Sequence, residues 1–185
     1  RWRVSDGWSN GGWTSTEWRA PQTAATADGV TLTLAPAPEG AEKPYISGEI
    51  ATHAAFVQGY YEARVRVPRG EGLVAAFFTF ARPEGRRSWN EIDVEILGRD
   101  TRRAELTYHV AGRPYHRIVA LPFDAADGFH TYAFEWRAES VRWYADNVLL
   151  YEMRGGAVGQ LTRPQNVILQ LWNREQLENW VGEIE

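Results

Sequence analysis

The sequence predicts an all-β fold, a sandwich of two antiparallel sheets, on three observations. Alternation of apolar and polar residues with period two recurs along the chain, while helical periodicity is weak nearly everywhere. Turn residues, 17 Gly and 9 Pro among 185 residues, interrupt the alternating runs at short intervals. One run, Leu-Val-Ala-Ala-Phe-Phe-Thr-Phe over 73–80, is apolar almost throughout yet too short for a globular helix, which fits a central strand buried on both faces.

The elements follow in order. Residues 30–34 alternate after the turn pair Asp28-Gly29, and Pro36 and Pro38 are expected to end that strand. Over 60–67, Tyr61, Ala63, Val65 and Val67 face one way and Glu62, Arg64 and Arg66 the other, a half-wet strand broken by Pro68-Arg69-Gly70. After the 73–80 strand, residues 82–87 hold Pro83 and Gly85 and read as a polar loop. Further strands are expected at 91–97, 105–110, 116–121 and 129–136. Residues 141–144 and 148–151 flank Asp146-Asn147, a hairpin turn signal. A late strand spans 165–172, and a brief helix is expected near 174–178. With no internal repeat and no linker, residues 1–185 form a single domain.

Bulk properties remove several functional classes. The length suits one compact domain with a full core. A net charge of -4 with scattered basic residues argues against nucleic-acid binding. The chain has no Cys, which excludes disulfides and thiolate metal sites and says nothing of compartment. No apolar run approaches the ~20 residues of a membrane helix, so no membrane partner is expected. Arg1 in place of Met predicts a removed leader, a signal peptide being one form. The 9 Trp and 8 Tyr exceed what a core of this size needs, and flat rings matched to sugar faces are a natural use of the surplus.

One strand breaks the pattern of its neighbours. In 89–95, Trp-Asn-Glu-Ile-Asp-Val-Glu, the side chains of Glu91, Asp93 and Glu95 share one face, and Ile92, Val94 and Ile96 share the other. Three carboxylates on one face repel, which costs stability. A solvated face tolerates them, and a hard divalent cation is a second use for them. Glycoside cleavage is a third. It needs one carboxylic acid to protonate the leaving oxygen and a second carboxylate as nucleophile or base. An acidic group between them can hold a proton and raise the acid's pKa. Residues four apart on a strand have Cα atoms about 13 Å apart. Retaining pairs need carboxyls about 5–5.5 Å apart and inverting pairs about 6.5–9.5 Å, so spacing leaves the stereochemistry open. The four histidines, His53, His109, His116 and His130, lack the spacing of a compact metal motif, and no metal or other cofactor is expected. His130 reads as structural. No Ser-His-Asp order and no phosphate-binding Gly loop is present.

The stretch Trp89-Asn90-Glu91-Ile92-Asp93-Val94-Glu95-Ile96-Leu97-Gly98-Arg99-Asp100 resembles the signature of glycoside hydrolase family 16, in particular bacterial lichenases and related exopolysaccharide glycanases. Asp6-Gly7-Trp8-Ser9-Asn10-Gly11, Gly59-Tyr60-Tyr61-Glu62, Phe77-Phe78-Thr79, Gly128-Phe129-His130-Thr131-Tyr132 with Trp136, and Leu171-Trp172-Asn173 agree with it. The resemblance implies a β-jelly-roll sandwich with a concave substrate cleft. It implies Glu91 as nucleophile, Glu95 as general acid/base and Asp93 as the assisting carboxylate, with retention of configuration. It places Trp89 beside the subsite next to the cut and Glu49, Trp8, Asn10, Tyr108, His109, Trp172 and Trp180 in the cleft. It further implies a monomer, secreted or periplasmic, acting on a β-linked polysaccharide. Mixed-linkage β-1,3-1,4-glucan, cut at internal β-1,4 bonds by double displacement, is the expected substrate. A β-1,3-glucan or a succinoglycan-type exopolysaccharide is the alternative, and a non-catalytic carbohydrate-binding protein a further one.

Several positions depart from the lichenase pattern. Ala51 stands for an arginine, Asn90 for an aspartate, His109 for a tyrosine and Thr107 for an asparagine. Thr16 and Ser47 stand where lichenases often link two cysteines, a loss harmless to the chemistry. The family's outermost strands, before Trp2 and after Glu183, are expected to be missing at both ends, and no calcium site is predicted from what remains.

Overall fold

The computed structural model describes residues 1–82 and 88–173. Its strands are β1 (Trp2–Val4), β2 (Thr16–Trp18), β3 (Thr23–Thr26), β4 (Gly29–Leu32), β5 (Leu34–Pro36), β6 (Tyr45–Ser47), β7 (Glu49–Phe56), β8 (Gly59–Val65), β9 (Leu73–Ala81), β10 (Asn90–Leu97), β11 (Arg103–Val110), β12 (Arg113–Ala120), β13 (His130–Trp136), β14 (Ser140–Ala145), β15 (Val148–Arg154) and β16 (Gln165–Asn173). A seven-stranded sheet runs β1-β7-β16-β9-β10-β11-β12, and a four-stranded sheet runs β15-β14-β13-β8. The expected 174–178 helix and most of the 82–87 loop lie outside the described residues.

The two large sheets are antiparallel and pack face to face, giving the β-jelly-roll sandwich. Phe77, Ile92, Val94, Leu106 and Tyr108 from the larger sheet meet Tyr61, Tyr132, Phe134, Trp136 and Trp143 from the smaller in one buried cluster. Tyr61 stacks on Phe134 with centroids 5.1 Å apart, and Phe77 meets the same ring at 5.3 Å. Strand β9, the near-continuous apolar run, is the middle strand of the larger sheet, as its composition predicts. The Asp146-Asn147 hairpin also forms. Both residues have positive φ, 45° and 65°, as a type I′ turn requires.

Two small sheets were not foreseen: β3-β4, and β2-β6-β5 with β2 parallel to β6. The strand expected at 30–34 is divided between them. Strand β4 pairs with β3, and β5 pairs with β6. The break falls at Thr33, whose N–H donates to the Gln22 carbonyl at 2.9 Å. Alternation runs on through such a corner, so it cannot reveal a change of partner. Pro36 belongs to β5 rather than ending it, because β5 is an edge strand where a missing N–H costs no ladder bond.

The β2-β6-β5 sheet lies against the free face of the larger sheet. Trp18, fully buried, packs there with Ala51, Val74, Ala76, Phe78, Ile168 and Trp172. Thr16 and Ser47 do not pair with each other. The Thr16 hydroxyl donates to Asn173 Oδ1, and the Ser47 hydroxyl donates to the Leu171 carbonyl at 2.5 Å. Both tie the small sheet to the end of β16. Past the end of β10, Gly98 is obligatory, since a Cβ there would sit 2.2 Å from the Gly70 carbonyl oxygen.

Candidate active site

Strand β10 has one dry face and one carboxylate face. Ile92, Val94 and Ile96 are buried in the sandwich core. Trp143 of the opposite sheet donates its indole N–H to the Asp93 carbonyl at 3.0 Å, which fixes the middle of the strand. The register with β9 and β11 then decides what surrounds the carboxylates, because cross-strand partners share a face. Glu91 faces Phe80 and His109, Asp93 faces Phe78 and Thr107, and Glu95 faces Ala76 and Glu105. One strand further, Asn166, Ile168, Gln170 and Trp172 of β16 face Phe80, Phe78, Ala76 and Val74. Strand β7 contributes Ala51 opposite Ile168 and Glu49 opposite Gln170. The site is therefore a band across five strands.

Specific bonds order this band. The Trp89 indole N–H donates to Glu91 Oε2 at 2.5 Å. The Trp89 ring stacks on His109, with centroids 5.3 Å apart and 14° between planes. Asp93 is buried and hydrogen-bonds Glu91, and its Oδ2 lies 3.6 Å from His109 Nε2. The Trp172 indole lies beside Glu95 and favours its charged form. Glu49 is buried and accepts the Ser5 hydroxyl bond at 2.5 Å.

Burial disfavours the charged form of each carboxyl. It pushes Glu91 up to about 7 against the bond from Trp89. It pushes Glu95 up to about 8, helped by the Glu105 and Glu91 charges. Asp93 rises well above the carboxylate range, driven by burial and then by the charges of Glu91 and Glu95. Glu49 rises to about 7, also by burial. His109 falls to about 4 for the same reason, so its imidazole is neutral at pH 7. A protonated Asp93 can donate to Glu91, leaving Glu91 free to act as an anion beside a protonated Glu95. Glu91, Asp93 and His109 also bring ligand atoms within 4.8 Å of one another, a spacing that a divalent cation could use.

The structure brings together Trp89, Glu49, His109 and Trp172 with the three carboxylates. Trp8 is exposed and meets the edge of Trp18 at 6.3 Å, and Asn10 is half-buried at a bend just beyond it. Trp180 lies outside the described residues. Tyr108 corrects an expectation. It pairs with Ile92, faces the core and stacks on Tyr115 at 4.8 Å. With a side-chain period of two, Tyr108 and His109 cannot both face the cleft. Glu105, Gln170, Trp13 and Trp18 were missed. Alternation over 105–110 signals Glu105, since Glu105, Thr107 and His109 alternate with Leu106, Tyr108 and Val110. Nothing local marks Gln170, or Trp13, whose ring meets Trp172 edge-on at 5.5 Å.

Known proteins resemble this chain along its whole length. Residues 10–185 match Glycosyl hydrolases family 16. A beta-glucanase of Bacillus subtilis (strain 168) is 34% identical over 183 residues, 98% of this chain and 73% of that one. The endo-1,3-1,4-beta-glycanase ExoK of Rhizobium meliloti (strain 1021) is 34% identical over 182 residues, 98% of this chain and 67% of that one. The crystal structure of a prokaryotic β-1,3-1,4-glucanase (lichenase) derived from a mouse hindgut metagenome superposes with a TM-score of 0.93 at 30% identity, covering 100% of this chain and 85% of that chain. Sandwich, carboxylate strand and relatives together define an enzyme, a glycoside hydrolase. Within that class the chain belongs to family 16.

Proposed function

We propose that the chain is a retaining endo-β-glucanase that cuts internal β-1,4 bonds of mixed-linkage β-1,3-1,4-glucan by double displacement. The observation that carries this is the row on one face of β10 of Glu91, oriented by the Trp89 indole, then Asp93, then Glu95, whose burial favours its proton. In the first step a Glu91 oxygen bonds to the anomeric carbon while Glu95 gives its proton to the departing sugar oxygen. The glycosyl-enzyme ester then meets water. Glu95, now a carboxylate, takes a proton from that water as its oxygen bonds to the anomeric carbon and Glu91 leaves. Trp89 holds one Glu91 oxygen and thereby aims the other. Asp93, keeping its proton, stabilises the Glu91 anion and adds little negative charge. The partly exposed rings of Trp89 and Phe80 suit the apolar faces of glucosyl rings. A polymeric substrate also favours action outside the cytoplasm.

Glu91→Gln is expected to lower kcat on barley β-glucan by on the order of a thousand-fold or more while the circular dichroism spectrum is unchanged. Glu95→Gln should recover turnover of an activated glycoside when azide is added, with a glycosyl azide of retained configuration. Full activity in the Glu91 variant would rule the assignment out.

A second reading is an exopolysaccharide glycanase. His109, stacked on Trp89 where the lichenase pattern has a tyrosine, alters the cleft wall and favours it. Rates on barley β-glucan, laminarin and succinoglycan separate the readings. Fastest cutting of barley β-glucan supports the first, and inactivity there with rapid cutting of succinoglycan supports the second.

A further inference from the structure

Glu95 faces groups from every strand around it. Glu91 and Asp93 share its strand, Ala76 is its neighbour on β9, and the Trp172 indole of β16 lies beside it. Glu49 of β7 lies across the same row, behind Gln170 and Ala76. On β11 the residue directly opposite is Glu105, with Thr107 and His109 further along. Strand β12 adds His116, whose Nδ1 lies 2.7 Å from Glu105 Oε1.

Two carboxylates directly opposite in an antiparallel ladder repel and destabilise it. Glu105 could relieve this by swinging to solvent, yet its side chain is only 13% exposed, while that of His116 is 59% exposed. The bond to His116 on the β12 side keeps the carboxylate from swinging to solvent and holds it on the sheet face it shares with Glu95. The small Ala76 on the other flank offers no countercharge.

We propose that Glu105, fixed by His116, is a positioning residue for the reaction: across the β10–β11 ladder it keeps Glu95 in the protonated form that donates to the leaving oxygen. The inference rests on the acid/base role given to Glu95 above and deepens it. The burial of Glu95 favours the same proton, and the Glu105 charge adds to that effect. The charge must act while the first step needs an acid. In the second step the same repulsion makes Glu95 a stronger base toward water, so a single neighbour serves both half-reactions.

The test is the pH dependence of kcat/KM on the best substrate. Glu105→Gln, which keeps shape and removes charge, should move the alkaline limb to lower pH by about one unit. His116→Ala should move it the same way by less, because a freed Glu105 carboxylate turns to solvent. In the Glu105→Gln background, His116→Ala should move the limb no further. Glu105→Asp, which restores the charge, should recover most of the shift. An unmoved alkaline limb in a folded Glu105→Gln variant, with activity reduced equally at all pH values, would overturn the proposal in favour of a structural role. Independent shifts from the two substitutions would overturn the coupling through His116. Full activity of Glu95→Gln would instead remove the underlying assignment, so the two failures are distinguishable.

Discussion

Neighbouring residues on β10 serve opposite faces, and Asn90 and Glu91 illustrate the consequence. Glu91 looks into the cleft. Asn90 is buried on the other side, where its Oδ1 accepts the backbone N–H groups of Thr162 at 3.0 Å and Arg163 at 3.2 Å. Its Nδ2 donates to the Trp89 carbonyl at 3.0 Å. It therefore joins the start of β10 to the approach of β16. Asn90→Ala leaves two donors without an acceptor and should cost about 2–3 kcal/mol, or roughly 5–10 °C in Tm by calorimetry. Asn90→Asp keeps the acceptor and should lose clearly less. An alanine variant with the parental Tm would show that the cap contributes nothing. Alternation alone reveals that Asn90 and Glu91 face opposite ways. It cannot name Thr162 and Arg163 as partners, because that loop lies over seventy positions away.

At the scale of elements, strand β10 is held in place because both sides of it are engaged. Its apolar side is interlocked with the smaller sheet, and Trp143 reaches the Asp93 carbonyl from there. Its cleft side is flanked by Phe78 and Ala76 of β9, and beyond them the small β2-β6-β5 sheet presents Trp18. That sheet is held by hydroxyls. Thr16→Val removes the bond to Asn173, which is fully buried, and should cost about 1–3 kcal/mol in urea denaturation. Because β16 ends there beside Trp172, a rise in KM is expected with little change in kcat. An unchanged midpoint would mean that Thr16 acts only as filler. Elements with a strong local pattern, such as β9 and β10, were legible from the sequence. The division of 30–34 into β4 and β5 was not, since the same alternation satisfies two successive partners.

For the molecule as a whole, the cleft carries a cost that depends on pH. Glu91 and Glu95, near 4.5 when exposed, rise to about 7 and about 8 in the folded state. The folded state thus binds their protons more tightly. Their stabilising contribution is complete below about 4.5 and is lost as pH rises through 7 to 8. His109, lowered to about 4, acts in the opposite sense only below about 6.5, so the informative window is pH 7–8.5. Tm should fall across that window. Glu95→Gln should be more stable than the parent at pH 8.5 by on the order of 1–2 kcal/mol, with the gap shrinking toward pH 6. A gap independent of pH would contradict the raised acid. The same raised acid predicts an alkaline limb of kcat/KM near 8.

The sequence by itself determined the strand-rich class, the central place of β9 and the two faces of β10, because a side chain's face follows from local alternation. It also singled out Glu91, Asp93 and Glu95 as one carboxylate face, since their types and spacing are written in five consecutive residues, while the role proposed for each came from the family resemblance. Only the tertiary structure decided that Tyr108 belongs to the core and His109 to the cleft, through a register that pairs Tyr108 with Ile92. Only it placed Glu49 and Gln170 in the same transverse row as Glu95 and set Glu105 against that acid with His116 behind it. Strand pairing joins residues far apart in the chain, and the charges and burial that tune a carboxyl come from those neighbours rather than from its own strand.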